Sequence, residues 1–301
     1  MKRFLLFIIA IIFSYNCFSQ SGEPIVKIYT NFHSSFYDGE VHNAFQIQRA
    51  YFGYGYDFND NFSGKILLDV GDPGFGKLQM TAYLKNAYGQ YKNDKVLVKF
   101  GMIGLHQFKM QEDLWKGRYF QKSFMDEYKF GPSADLGVYV KYNIHDFLSI
   151  DGTISNGEGY KIIEIDSIFK YAVGMTVHPF EGMSLRVYGD VMGEQSTIAL
   201  YAGYKDKNLS IGGEYNRQLN HRNNPLIDLG GISVYSSYKI KKFRPFIRYD
   251  HLTSDIGGQK VISGIEYNVI KGINITPNYQ YWISNQDIVI QTIYLSLEFK
   301  I

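Results

Sequence analysis

The chain has a single cysteine, Cys17, so no intramolecular disulfide can form. Proline is scarce at 7, and no linker or low-complexity tract divides the sequence. An excess of one charge is missing as well. The 31 Lys and Arg face 29 Asp and Glu, and Lys2 and Arg3 at the N-terminus account for the whole difference. A neutral chain carries no basic footprint for nucleic acid. Beyond the first residues no apolar run approaches 18 residues, which excludes helical membrane spans.

The first of the features that are present lies at the start. Met1-Lys2-Arg3 is basic, "FLLFIIAIIF" (4–13) is an unbroken apolar run, and Cys17-Phe18-Ser19 supplies small residues at the −3 and −1 positions. The pattern predicts a secretory signal peptide over 1–19 and one mature domain over 20–301. The run is shorter than the roughly 20 residues of a spanning helix. Asn16 precedes Cys17 where a lipidated cysteine follows a small residue, so lipidation is not expected. Cleavage after Ser19 removes the only thiol and with it thiolate chemistry.

The mature chain alternates with a period of two. In "FSGKILLDVGD" Phe62, Gly64, Ile66, Leu68 and Val70 share one face, with Ser63, Lys65, Leu67, Asp69 and Gly71 on the other. "KVLVKFGM" sets Val96, Val98, Phe100 and Met102 against Leu97, Lys99 and Gly101. "ADLGVYVKYN", "MSLRVYGDV" and the final strand repeat the scheme. Each strand therefore has one apolar and one polar face.

Connection lengths alternate too. Tight polar links at 59–61, 93–94, 145–146, 181–182, 206–208, 241–242 and 271–272 interleave with looser ones at 38–43, 72–77, 104–133, 156–168, 192–196, 219–226, 254–259 and 284–287. This rhythm predicts an all-β fold: a transmembrane antiparallel β-barrel of about 16 strands with both termini at the tight-turn end. A β-sandwich need not sort its links into two sets, and the repeat of a propeller is missing. The 26 tyrosines fit a barrel, with Tyr54, Tyr56, Tyr88, Tyr91, Tyr142, Tyr238, Tyr249 and Tyr267 expected in the interfacial girdles.

The polar faces must then line the interior. Arg49, Lys65, Lys99, Lys141, Arg186 and Arg248 are expected there with Asp57, Asp69, Asp135, Asp151, Asp190, Glu214, Asp250 and Glu266, a slight acidic excess. Such a wall holds water, and a ring of sixteen strands is too wide to be filled by its own side chains. The longest link breaks the pattern. "LWKGRYFQKSFMDEYKF" (114–130) places Trp115, Tyr119, Phe120, Phe124 and Tyr128 near helical spacing among charges of both signs. Its aromatics need burial, so this third long loop is expected to fold into the barrel and narrow it. Lys109, Glu112, Asp113, Lys116, Arg118 and Lys122 are its candidate constriction residues, facing Arg49, Lys65, Asp69, Lys99, Arg186 and Arg248 on the wall. Rings of side-chain charge at a constriction set ion preference.

"AYFGYGYDFNDNFSGKILLDVGD", "KNAYGQY", "VLVKFGMIGLHQF" and the return through "GPSADLGVYVKY" carry a resemblance to the bacterial porins of the phosphate-selective O and P type, mainly over residues 44–142. The resemblance implies an outer-membrane channel whose third loop forms the constriction. In that family the path carries a strong excess of Lys and Arg; here the loop has Lys109, Lys116, Arg118, Lys122 and Lys129 against Glu112, Asp113, Asp126 and Glu127.

Catalytic and metal patterns are weak. The histidines at 33, 42, 106, 145, 178, 221 and 251 show no metal-ligand spacing. His33-Ser34-Ser35 and His251 with Ser254 are the only Ser–His neighbours of interest, and Glu158, Glu164 and Asp166 form an acidic cluster in the fourth long loop. None meets the requirements of a catalytic site. The expectation is a non-enzymatic, cofactor-free porin of the cell outer membrane, surrounded by lipid, passing small hydrophilic solutes or ions, with anions such as phosphate as candidates. A homotrimer is a candidate assembly. A barrel enzyme of phospholipase or protease type, and a plugged structural or adhesive barrel, are the competing readings.

Overall fold

The computed structural model describes residues 22–73, 80–164, 166–254 and 257–301. The expected signal peptide over 1–19 lies outside the described residues, as do most of the link at 72–77 and part of that at 254–259. The first eight strands are β1 (Gly22–Tyr37), β2 (Glu40–Asp57), β3 (Phe62–Gly71), β4 (Thr81–Lys92), β5 (Val96–Gly104), β6 (Ala134–His145), β7 (Leu148–Ser155) and β8 (Lys170–Val177). They are followed by β9 (Met183–Met192), β10 (Gln195–Lys205), β11 (Leu209–Leu219), β12 (Leu229–Tyr238), β13 (Phe243–Thr253), β14 (Gly258–Ile270), β15 (Ile273–Ser284) and β16 (Val289–Lys300). Each pairs antiparallel with its chain neighbours, and β16 pairs with β1, closing the barrel. Closure leaves no sheet edge with unpaired backbone groups, the condition for strands to cross hydrocarbon.

The alternation is realised strand by strand. Apolar residues such as Phe45 (87 % exposed), Phe100 (71 %), Val173 and Ile198 point outward, while Tyr51, Asp69, Asp151, Asp190 and Asp250 are buried inside. The expected girdle tyrosines Tyr54, Tyr56, Tyr142 and Tyr238 are exposed on the outer face. Tyr88 is a correction. It sits opposite the inward Lys65 on β3 and lines an interior cavity. Tyr29, Tyr51, Tyr119, Tyr139, Tyr188, Tyr201 and Tyr235 are likewise buried, so many tyrosines serve the interior instead of the girdles.

Two of the looser links are in fact tight. Asp38 and Gly39 both have positive φ (49° and 79°) and join β1 to β2 directly. Paired positive φ is the geometry that Asp-Gly favours in two-residue hairpins. β1 and β2 therefore run on to 16 and 18 residues. Gly193 (φ 58°) and Glu194 likewise join β9 to β10 in place of a loop over 192–196.

Candidate functional site

Between β5 and β6 the chain leaves the wall and forms two short helices, α1 (Lys109–Trp115) and α2 (Phe124–Glu127). Lys116 ends α1 in the left-handed region (φ 58°) and its N–H bonds to the Glu112 carbonyl, a common helix stop. Gly117 follows because a Cβ there would lie 2.6 Å from both the Trp115 and Phe120 rings. The aromatics find burial against the inner face of the barrel. Trp115 meets Tyr235 and Phe246 edge-on at 5.4 and 5.6 Å, and Phe120 stacks on Phe246 at 4.7 Å. Phe108, Phe124, Met125 and Phe130 form a second cluster with Tyr188, Leu229 and Leu252.

Polar wall residues hold the segment's backbone. Arg248 donates to the Lys122 carbonyl at 2.7 Å, Gln218 to that of Phe130 at 2.7 Å, and Gln280 to that of Phe120 at 3.2 Å. Arg244 and Tyr235 reach the carbonyls of Trp115 and Gln111, each at 3.2 Å. Lys260 and Lys170 donate to the side chains of Gln121 and Gln107, and Tyr119 donates to Glu266 at 2.9 Å. All these wall partners lie on β8 to β15. These hydrogen bonds thus come from one half of the barrel, while Tyr119 also meets the Tyr29 ring on β1 at 6.1 Å.

The other half borders open space. A cavity of about 660 Å³ at the end holding the termini is lined by Lys27, Tyr29, Tyr51, Lys65, Lys85, Lys99, Lys109, Glu112, Asp113, Lys116, Arg118, Glu298 and Lys300, among others. At the loop end a cavity of about 810 Å³ is lined by Arg49, Arg118, Lys122, Asp126, Glu158, Lys161 and Arg222 among its residues. Beside it a smaller space of about 310 Å³ touches Arg49, Arg118, Lys122 and Lys260. Arg118 lines all three.

Arg118 bridges Glu112 at 2.8 Å and also pairs with Asp126, tying α1 to α2. Burial works against its charge, but Asp126, Tyr51 and Glu112 together outweigh it and keep the guanidinium protonated. Burial likewise opposes ionisation of Asp126 and Glu127, yet Arg118 and Lys260 respectively hold these carboxyls below their ordinary range. Across the opening, Asp69 on β3 is shared by Arg49 (3.5 Å), Lys85 (3.7 Å) and the Tyr160 hydroxyl.

The remaining expected residues separate. Lys109 and Asp113 pair with each other in the open at the terminus-side cavity, where Lys116 also lies. Lys65 and Lys99 line that cavity, and neither has a carboxylate within ion-pair distance among the described residues. Arg186 and Arg248 face inward but are buried and absent from the three cavity linings. Arg186 grips Asp151 with two bonds of 2.6 and 2.8 Å, and Arg248 grips Asp250 with two of 2.7 Å. Arg186 thus ties β9 to β7 within the wall, and Arg248 joins the wall to the loop.

The expected acidic excess on the wall is also corrected. Lys27, Lys85, Lys170, Lys205, Arg244, Lys260 and Lys300 face inward as well, against one further acid deep in the wall, Glu298, and the balance becomes basic. Lys85 was hidden by a bulge: Leu67 pairs with Asn86 but Leu68 with Leu84, so Lys85 and Asn86 both turn in.

The remaining candidates are placed as follows. His33 bonds Asn31, Ser34 donates to Asn43 and Ser35 meets Thr292, so no serine of that run engages the imidazole. Glu158, Glu164 and Asp166 do come together, with Glu164 accepting the N–H groups of Asp166 and Ser167. Burial and the neighbouring Glu164 push the Glu158 carboxyl up to about 7. His178, just after β8, and Ser184, at the start of β9, lie 3.0 Å apart on the surface.

Comparison with known proteins places the fold. Pseudomonas putida OprB, in its high-pH structure, superposes with a TM-score of 0.73 at 11% identity over 93% of this chain and 94% of its own. Salmonella typhi OmpF, in complex with daunomycin, gives 0.69 at 13% identity over 93% and 98%. OmpT, an outer membrane protein of Vibrio cholerae, gives 0.66 at 15% identity over 94% and 99%. The chain thus has the closed sixteen-stranded fold of bacterial outer-membrane barrels. No protein-family model matches it, and no curated protein does. The likeness is to outer-membrane barrels and channels at large.

Proposed function

We propose that the protein is an outer-membrane porin, a water-filled channel for passive diffusion of small hydrophilic solutes, with a preference for anions. The observation that carries this reading is the pair of cavities, one toward each end of the barrel, that share Arg118 in their linings beside the segment between β5 and β6. That segment acts as the constriction, and Lys109, Glu112, Asp113, Lys116, Arg118 and Lys122 act electrostatically, not catalytically. Charges in a low-dielectric cleft set the local concentration of permeating ions. The basic surplus of the wall favours anions, and inorganic phosphate is one such solute. A homotrimer, the form in which Vibrio cholerae OmpT has also been solved, is the proposed assembly.

Single-channel recording of the refolded mature protein under a salt gradient tests the reading. Steady open steps with an anion-signed reversal potential are expected. Silence from a barrel whose folding is verified by a heat-modifiable gel shift would overturn it. A Lys116→Ala/Arg118→Ala/Lys122→Ala variant should raise conductance and weaken the anion preference; if both stay unchanged, the segment is not the constriction.

A further inference from the structure

The terminus-side cavity differs from the rest of the interior in the company its lysines keep. On β8 to β14 five inward bases are neutralised: Lys170 by Asp190, Arg186 by Asp151, Arg244 by Glu266, Arg248 by Asp250 and Lys260 by Glu127; Lys205, exposed at the end of β10, has no such partner among the described residues. On β3 and β5 they are surrounded by rings. Lys65 lies directly opposite Tyr88 on β4, and Lys99 directly opposite Tyr139 on β6. The Lys99 ammonium stands 5.3 Å from the Tyr88 ring centre and 5.8 Å from that of Tyr139. His106 stacks flat on Tyr139 with centroids 4.0 Å apart and planes 8° apart, and it too lines the cavity. Gly101, across from Tyr88 on β5, has no side chain to cover that ring.

We propose that this cavity is a binding site for a planar organic monoanion, an aromatic carboxylate, whose charge is held by Lys65 and Lys99 and whose ring lies against Tyr88 and His106. The inference rests on the anion-channel reading and names the solute class. Three properties of the cavity select it. Two ammonium groups without carboxylate partners supply the charge that a carboxylate needs, and charge-assisted hydrogen bonds are the strong ones. Exposed ring faces favour an aromatic body, stacked or edge-on, over a bare inorganic oxyanion. Glu112 and Asp113 share the lining but are engaged by Arg118 and Lys109, so they do not compete for the two ammonium groups. Burial, reinforced by Lys99, lowers the His106 imidazole to about 3, so at neutral pH it offers a neutral ring and no third cation. A volume of about 660 Å³ suits a single-ring solute with its water.

The test uses the refolded full barrel and three probes: benzoate, acetate and inorganic phosphate. In bilayer recordings in chloride, benzoate should interrupt the current at a concentration about tenfold below that needed for acetate or phosphate, the difference one ring contact supplies. Lys65→Gln and Lys99→Gln should each weaken the benzoate block about tenfold. Lys207→Gln, in the turn between β10 and β11, removes the same charge outside the lumen and should leave it unaltered. Equal block by benzoate and acetate, or block unchanged in both lumen variants, overturns the proposal while leaving the channel reading intact. Calorimetric titration of the detergent-solubilised barrel with the same probes does not depend on conduction. If the barrel proves silent, benzoate binding that Lys99→Gln abolishes still supports the site, and no heat of binding refutes it.

Discussion

Replacing Arg248 by leucine should cost the barrel more than its size suggests. The guanidinium is 1 % exposed and Asp250 is fully buried, and two bonds of 2.7 Å join them. A third of 2.7 Å reaches the Lys122 carbonyl in the docked segment. Arg248→Leu strands a buried carboxylate, which costs about 3–5 kcal/mol when one partner of a buried pair is removed. The orphaned carbonyl adds about 1–3 kcal/mol where water does not replace the donor. A total loss of about 5 kcal/mol is expected. Arg248→Leu/Asp250→Leu removes both charges and should return to within about 2 kcal/mol of the parent, since a pair replaced by apolar groups is often neutral. The assay is urea unfolding of the lipid-reconstituted barrel, followed by the heat-modifiable band and by tryptophan emission. Trp115 lies 5.2 Å from the guanidinium and reports on the site directly. A single-variant loss below about 1 kcal/mol, or a double variant as unstable as the single, would refute the argument that this pair anchors the segment.

Other outcomes follow from the same geometry. Arg118→Ala should raise single-channel conductance and move the reversal potential toward cations, because it removes the side chain common to the three cavities and frees Glu112 and Asp126; an unchanged reversal potential would count against it. Trp115→Ala empties a ring site between Tyr235 and Phe246, a loss of about 3–5 kcal/mol from segment docking, read out as protease nicking within 105–133 while the barrel stays heat-modifiable. Asp126 is held below its unfolded pKa, so its stabilisation is complete above that value and is lost as the pH falls through the folded one. The segment should therefore stay docked, read as protection of 105–133 from protease, from pH 7 down to about 5 and loosen only below the ordinary Asp value of about 3.9. Gly101→Ala should lower the yield of folded barrel measured by gel shift, since φ there is +120° and a Cβ would sit 2.4 Å from the Ala87 carbonyl oxygen.

Strand faces were legible because a period of two survives wherever pairing is regular, as in β3, β5, β6, β9 and β16. The reading failed where backbone irregularity resets the phase. The bulge opposite Leu67 and Leu68 turned Lys85 inward, and the Asp38-Gly39 turn lengthened two strands at the expense of an expected loop. The odd character of 114–130 was visible from aromatics that no strand face could bury. Which wall charges would meet which partners was not visible, because ion pairs cross between strands. Arg186 on β9 reaches past β8 to Asp151 on β7, and it can do so because Gly174 leaves room; a Cβ there would lie 2.2 Å from the guanidinium. No spacing rule encodes a contact made with a residue two strands away through the absence of a side chain on the strand between.

That pairing pattern bears on what the interior can do. A base neutralised by a buried carboxylate orients its neighbours but adds little field to the water beside it. Arg186, Arg244, Arg248, Lys170 and Lys260 are of this kind, and they lie on the half of the wall that holds the docked segment. Lys27, Lys65 and Lys99 stand on β1, β3 and β5 beside the open cavity without such partners among the described residues, while Arg49 and Lys85 divide one carboxylate, Asp69, between them. The uncompensated positive charge is therefore concentrated on the side of the open cavity. The near-neutral composition of the whole chain conceals this, since anion preference depends on where charge is left unpaired and not on its total. Reversing Lys65 and Lys99 to glutamate should then invert the sign of the reversal potential, whereas reversing Lys207 and Lys271, in turns outside the lumen, changes net charge equally and should leave the sign as it was.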